Sequence, residues 1–305
     1  MRLKEDYAFA QEDMSLTKTA IAYSGLIALS LIWGLAFVAI KEADQDLSPV
    51  NLALLRWFIA SLLFLLLLPA VGRSKSRLEW RDVPRFLVVA FANVVGYHIS
   101  LNYAETSISA GLSGLLIAFG PVFIVILSVF LLHEKAGAKV LGALLLAILG
   151  TIILSIGSVN LNDLSSVYGP VEVILSALFY AIFAVLGKPL VQKYGSAPTT
   201  IWAGLLGTAM MLPLTSTTFL LQVEALPLYG WISVLYLSVI STVLGYMLFY
   251  TLVSRGTVSR LAIQLYLIPI VSVVGGVVLL GESVTAFTVV GGATMLAAVS
   301  LATRR

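Results

Sequence analysis

His98, Asn102 and Glu105 stand at i, i+4 and i+7, so one helical face carries an imidazole, an amide and a carboxyl. Asn93 and Tyr97 run in the neighbouring stripe, and Ser238, Thr242, Gly245 and Tyr246 form a second polar stripe later in the chain. Trp33, Ser176, Tyr180, Gln264 and Tyr266 are also set into long apolar runs. Polar groups in such runs are costly, so their placement carries information. Together they could line a cavity with aromatic faces and a few hydrogen-bond partners, suited to a small amphipathic solute with an apolar side chain. On this reading Trp33, Tyr97, His98, Asn102, Tyr180, Tyr246, Gln264 and Tyr266 form a binding site. The aromatics take the apolar side chain; His98, Asn102 and Gln264 take the polar head. Helix–helix packing accounts for any single Tyr or Ser about equally well, and His98 could be a satisfied packing histidine.

Arg56 lies about two turns into an apolar run, roughly 10 Å deep. It could attract a substrate carboxylate. The plainer reading makes it a structural partner of Glu42, Asp44 or Asp46, or a side chain that snorkels to the surface. Pro121 and Pro269 lie in the middle of two other runs. Each removes a backbone donor and frees the carbonyl four residues earlier, at Ile117 and Leu265. Kinks there make those helices natural gates or bent cavity walls.

Missing motifs narrow the chemistry. No Walker A sequence, H-E-x-x-H, paired aspartates or Cys/His cluster is present, so ATP hydrolysis, intramembrane proteolysis and metal chemistry have no candidate residues and no cofactor is expected. Every Asp and Glu falls in a tail, a loop or at the end of an apolar run. Near the core only His98 could relay a proton. The expectation is a non-enzymatic, facilitative carrier or exchanger, with proton coupling through His98 as the second choice.

Apolar helices must position these groups. Hydrophobic residues make up 60% of the 305-residue chain and charged residues 11%, which excludes a soluble globular enzyme. With no Cys, a disulfide scaffold is excluded too. Ten stretches are long enough to cross a bilayer, at about 18–41, 49–72, 83–104, 107–132, 138–157, 168–190, 198–220, 228–252, 257–280 and 285–303. Turn chemistry at Ser48-Pro49, Gly72-Arg73, Gly169-Pro170, Ala197-Pro198 and Gly281-Glu282 punctuates them. The fold class is an all-α polytopic membrane protein, and residues 1–17 read as a cytoplasmic tail. Small residues at Ala110, Gly114 and Ala118 offer one close helix-packing face, and the pairs Ala143/Ala147 and Ala293/Ala297 offer others.

The net charge of +3 is not spread evenly. Of 18 basic residues, 16 fall in the tail and in alternate connections, Lys41 lies at the opposite margin, and Arg56 is inside a run. That asymmetry puts both termini in the cytoplasm of a cell inner (plasma) membrane and leaves nucleic acid out as a partner. The bilayer and a small-molecule substrate are the partners expected; oligomeric state stays open.

A shift of 147–149 residues superposes the halves. Trp33-Gly34 falls on Tyr180-Ala181, Lys41 on Lys188, Pro49 on Pro198, Gly96-Tyr97 on Gly245-Tyr246, Pro121 on Pro269, Glu134 on Glu282, and Gly142 on Gly291. Residues 18–157 and 168–303 then form two repeats of five spans. Five is odd, so the second copy enters from the other side, an architecture associated with secondary transporters whose site lies near the midplane.

On the Trp33-Gly34 start, the Pro121 and Pro269 helices and the Glu134 and Glu282 closures, the chain resembles the drug/metabolite transporter superfamily in its EamA-type ten-helix form. Within it, the general likeness is to YddG-like exporters of aromatic and other amino acids. The resemblance implies export by alternating access. Tyr180-Ala181 departs from a second Trp-Gly, so the pathway lining need not be symmetric.

Overall fold

The computed structural model describes residues 24–71, 78–132, 138–156, 167–255 and 258–303, and these residues are helical with short connections. The long helices are α1 (Ser24–Ala43), α2 (Pro49–Leu67), α3 (Trp80–Glu105) and α4 (Ala110–Leu116 and Gly120–Leu132). They continue with α5 (Ala138–Ile156), α6 (Tyr168–Tyr194), α7 (Ser196–Met211), α8 (Leu228–Leu235 through Gly245–Arg255), α9 (Val258–Leu280) and α10 (Ala286–Thr303). Among the described residues, seven helices are long and apolar enough to cross a membrane: α1 to α4 and α6 to α8. In α5, α9 and α10 the described apolar stretches are shorter, Gly142–Ile156, Leu267–Leu280 and Ala286–Ala298. The expected break at Gly72-Arg73 and the tail 1–17 lie outside the described residues.

Local chemistry sets the helix ends. Ser48 precedes α2 in an extended conformation and Pro49 occupies its first position, where a missing N–H costs nothing. Ser109 caps α4 by accepting from the Leu112 amide. Gly195, at φ 87°, makes the sharp reversal between α6 and α7.

The connections gather at two ends. At one, Asn51 donates to Gln222 and Ser216, Lys41 donates to the carbonyls of Glu105 and Ile108, and Glu282 accepts from Ala110 and Gly111. At the other, Lys193 pairs with Glu79 at 2.7 Å and Asp82 at 2.6 Å.

Two helices carry one wide turn each, a π segment, at Phe91–Tyr97 in α3 and Tyr236–Leu244 in α8. No residue type encodes such a turn, so the periodicity of the sequence does not reveal it. Each segment exposes carbonyls that a side chain from another helix then satisfies. Trp33 Nε1 donates to Ser241 O at 3.1 Å, and Ser176 Oγ donates to Tyr97 O at 3.0 Å. The glycines Gly96 and Gly245 let the aromatic rings come close. A Cβ at Gly245 would stand 2.6 Å from Trp33 Nε1, and one at Gly96 2.6 Å from the Phe179 ring.

The prolines act differently in the two halves. α4 tightens to a 3-10 turn at Ile117–Phe119, just before Pro121, where the ladder loses its donor. α9 runs through Pro269 as one helix, with Ser272 Oγ donating to Pro269 O at 2.8 Å. The expected symmetric pair of interruptions is thus found on one side only.

Ala110, Gly114 and Ala118 are buried, and α4 approaches α9 so closely that no Cβ fits at Gly114 against Ser272. α5 and α10 pack on each other as a pair. Ala143 and Ala147 are buried as expected, but Ala293 and Ala297 are exposed. The face α10 turns to α5 is Gly291, Met295 and Ala298. Those three recur at helical spacing, and the two alanines lie round the helix from them.

Candidate functional site

Between the helices lies a cavity of about 90 Å³, lined by side chains of seven helices. α1 contributes Trp33, Ala36, Phe37 and Ile40, α3 Tyr97, His98 and Leu101, and α6 Tyr180. α4 contributes Ile117, Ala118, Gly120 and Pro121, α8 Ser241 and Tyr246, and α9 Ile268 and Pro269. α2 adds Arg56.

Arg56 does not meet the plainer expectation. It is 5% exposed, and its partners are hydroxyls: Nε donates to Thr242 Oγ1 at 2.7 Å and Nη2 to Ser241 Oγ at 3.1 Å. It pairs with none of Glu42, Asp44 and Asp46, and no carboxylate forms an ion pair with it among the described residues. Hydrogen bonds to a charged group contribute about 1.5–3 kcal/mol each. They offset part of the several kcal/mol of desolvation but leave a full positive charge at the cavity wall.

Aromatic rings surround that charge. Trp33 and Tyr246 lie 5.5 Å apart between centroids, Tyr97 and Tyr180 6.1 Å, Tyr180 and Phe183 6.2 Å, and Phe183 and Tyr246 6.1 Å. Such pairs are favourable and stiff. Tyr246 Oη donates to Asn93 Oδ1 at 2.8 Å, which fixes the ring.

His98 is a wall residue and also a packing residue. Its ring lies 4.8 Å from Tyr97 and 5.2 Å from Trp57. Nδ1 is 2.7 Å from Asn93 O and 3.1 Å from Trp57 Nε1. One nitrogen cannot donate to the carbonyl and accept from the indole at once. We assign the proton to Nδ1 on the shorter contact, with the carbonyl at the start of the wide turn as acceptor.

Asn102 departs from the expectation. It is buried, its Nδ2 donates to Pro49 O at 2.9 Å, and it is not among the cavity-lining residues. It lies one turn beyond His98 toward the end of α3, where it ties that helix to the start of α2 instead. Gln264 and Tyr266 have side chains outside the described residues. The structure therefore brings together Trp33, Tyr97, His98, Tyr180, Tyr246, Arg56, Pro121 and Pro269 from the expected set.

Ser241 is the polar residue that the sequence pattern missed. Counting by 3.6 from Ser238 leads to Thr242 and Tyr246, whereas the wide turn rotates Ser241 into the cavity beside Thr242. Ser238 itself donates to Val234 O within α8.

A family model described as the EamA-like transporter family matches twice, over residues 20–156 and 168–304. The chain belongs to this family. It is thus a transporter of the drug/metabolite superfamily and an integral membrane protein. A relative in Archaeoglobus fulgidus, called an uncharacterized transporter, is 32% identical over 90% of this chain and 95% of its own. A protein of Streptantibioticus cattleyicolor called a "probable terminal-alkyne amino-acid exporter" is 27% identical, covering 96% of this chain and 95% of its own. One from Salmonella typhimurium called a "probable amino-acid metabolite efflux pump" is 26% identical, covering 90% and 92%. A crystal structure with 17% identity superposes at a TM-score of 0.63, covering 93% of this chain and 96% of that one, and shares the fold.

Proposed function

We propose that this EamA-family protein exports small amphipathic metabolites, amino acids with aromatic or other apolar side chains above all, by alternating access. The observation that carries this reading is Arg56, a buried cation whose partners among the described residues are two hydroxyls, set in an aromatic-lined cavity. An α-carboxylate supplies the missing anion and can accept bidentate donation. The rings of Trp33, Tyr97, Tyr180 and Tyr246 receive the apolar side chain. Two relatives carry amino-acid export in their names, which supports the same substrate class.

The architecture we propose is ten spans in two inverted repeats, 18–157 and 168–303, with both termini cytoplasmic in the inner (plasma) membrane. The paired family matches support it, as do the π segments at equivalent places in α3 and α8 and the exchanged packing of Trp33 on Gly245 and Phe179 on Gly96. An inverted pair rocking about a midplane site exposes the cavity to each face in turn.

Counterflow in proteoliposomes tests the reading. Vesicles loaded with unlabelled phenylalanine should accumulate labelled phenylalanine. Arg56→Lys, which keeps the charge and loses the planar fork, should raise KM about tenfold. Absence of counterflow by every neutral amino acid in a panel would remove the substrate assignment.

A further inference from the structure

The end of the molecule where α1, α3, α4 and α9 meet holds more acid than its hydrogen bonds use. Glu105, the last residue of α3, is 0% exposed, and neither of its carboxyl oxygens has a partner among the described residues. Asp44, in the turn after α1, is the same: both oxygens are buried and unpartnered. The nearby cation is committed elsewhere, since Lys41 Nζ donates to the backbone carbonyls of Glu105 and Ile108. The nearby third carboxylate is committed too. Glu282, between α9 and α10, accepts from the amides of Ala110 at 2.6 Å and Gly111 at 3.0 Å, capping α4 and tying it to α9.

The groups whose charges bear on Glu105 are therefore Asp44 from the α1–α2 turn, Lys41 from α1 and Glu282 from the α9–α10 connection, with the Tyr97 hydroxyl about two turns of helix further in. A carboxyl buried without a donor is tolerated far more cheaply as the neutral acid than as the anion, and Glu282 has its two amide donors while Glu105 and Asp44 have none among the described residues. Burial pushes the Asp44 carboxyl up to about 8, an effect that Lys41 opposes without cancelling. No group of three or more metal-ligating side chains is found among the described residues, and the Lys41 ammonium already occupies the carbonyls a cation would use.

We propose that Glu105 and Asp44 form a proton-binding site whose occupancy holds this end shut through the Glu282 cap on α4. When α4 and α9 part, water reaches both carboxyls, each O–H bond breaks heterolytically, and the protons pass to the solution on that same face. Closure takes them back from there. Protons enter and leave on one side, so the site gates transport without coupling it to a proton gradient. This inference rests on the alternating-access reading only for its role in transport, and the site itself can be tested without any substrate.

The test is amide hydrogen exchange of the full chain in nanodiscs, read at the peptide Thr106–Leu112, whose Ala110 and Gly111 amides report the cap. Corrected for intrinsic exchange, protection should fall about a hundredfold or more between about pH 6 and about pH 8.5, as expected when opening is linked to loss of at least one proton. Glu105→Gln, a neutral isostere, removes one of the two linked protons and should make the fall shallower, while Glu105→Gln with Asp44→Asn should hold protection constant within about twofold over the same range. Equal protection at both pH values in the unsubstituted protein, or an unchanged pH profile in Glu105→Gln, would overturn the proposal. Protection restored at high pH by sodium would overturn it in favour of a metal cation. Failure of phenylalanine counterflow would leave this measurement untouched and would count against the substrate assignment alone.

Discussion

Among the described residues the Arg56 guanidinium is held by two hydroxyls and pairs with no carboxylate, which is why we propose an anion from the substrate as its partner. That residue-scale fact was half legible in the sequence. The depth of Arg56 in its apolar run made it a candidate, with a structural partner as the plainer reading, and its partners come from a helix 185 and 186 residues later, so spacing along the chain could not show them. Asn102 failed in the opposite way. Its face agrees with that of His98, yet it sits far enough toward the end of α3 to be used by the Pro49 carbonyl. Asp44 gives a pH prediction at this scale. Its folded value of about 8 lies above the ordinary carboxylate range, because of burial first and despite Lys41. Between about pH 4 and about pH 8 the folded chain keeps a proton that the unfolded chain has released, so stability is full below this window and falls as pH rises through it. Thermal melts in detergent should show a Tm that declines from about pH 6 to about pH 8.5, and Asp44→Asn should flatten the decline.

Elements decide how these side chains come to face one cavity. The break before Pro121 was legible, because a missing donor has a fixed consequence four residues upstream. The π segments were not, yet they do as much to build the site: one brings Ser241 and Thr242 to Arg56, and the other places the Asn93 carbonyl against His98. Gly245 holds the first in place by letting Trp33 reach the Ser241 carbonyl. Gly245→Val should therefore displace the indole, destabilise the protein by about 1–3 kcal/mol and shift the tryptophan emission to the red. Unchanged stability and emission would mean that the contact between α1 and α8 is not tight. The small-residue faces were legible in kind. In α10, however, the face lies at Gly291, Met295 and Ala298, because a helix with no charged residue and scattered hydroxyls gives no clear polar side from which to set its rotation.

For the whole molecule, the membrane class was readable from composition before any coordinates, and the transporter family is shown by a model that matches over 20–156 and again over 168–304. What the sequence could not show is which carboxyls are buried, since Glu105 looks like a boundary residue until α1, α4 and α9 close over it. The account makes two demands at this scale. Cysteine labelling from outside should reach neither the amino nor the carboxyl end of intact cells, in line with the positive-inside distribution. Efflux from proteoliposomes should be insensitive to an imposed pH gradient, while its rate varies with the pH common to both sides; accumulation that tracks the gradient would mean true proton coupling.

The central claim is that Arg56 receives a substrate carboxylate inside an aromatic cavity, and competition in counterflow tests it most directly. Labelled phenylalanine should be displaced by phenylalanine and not by phenethylamine, which keeps the ring and the amine but lacks the carboxylate. Arg56→Leu should lower exchange by about a hundredfold or more, the scale of losing a charge-assisted bidentate contact. Equal competition by phenethylamine, or undiminished exchange in Arg56→Leu, would contradict the account.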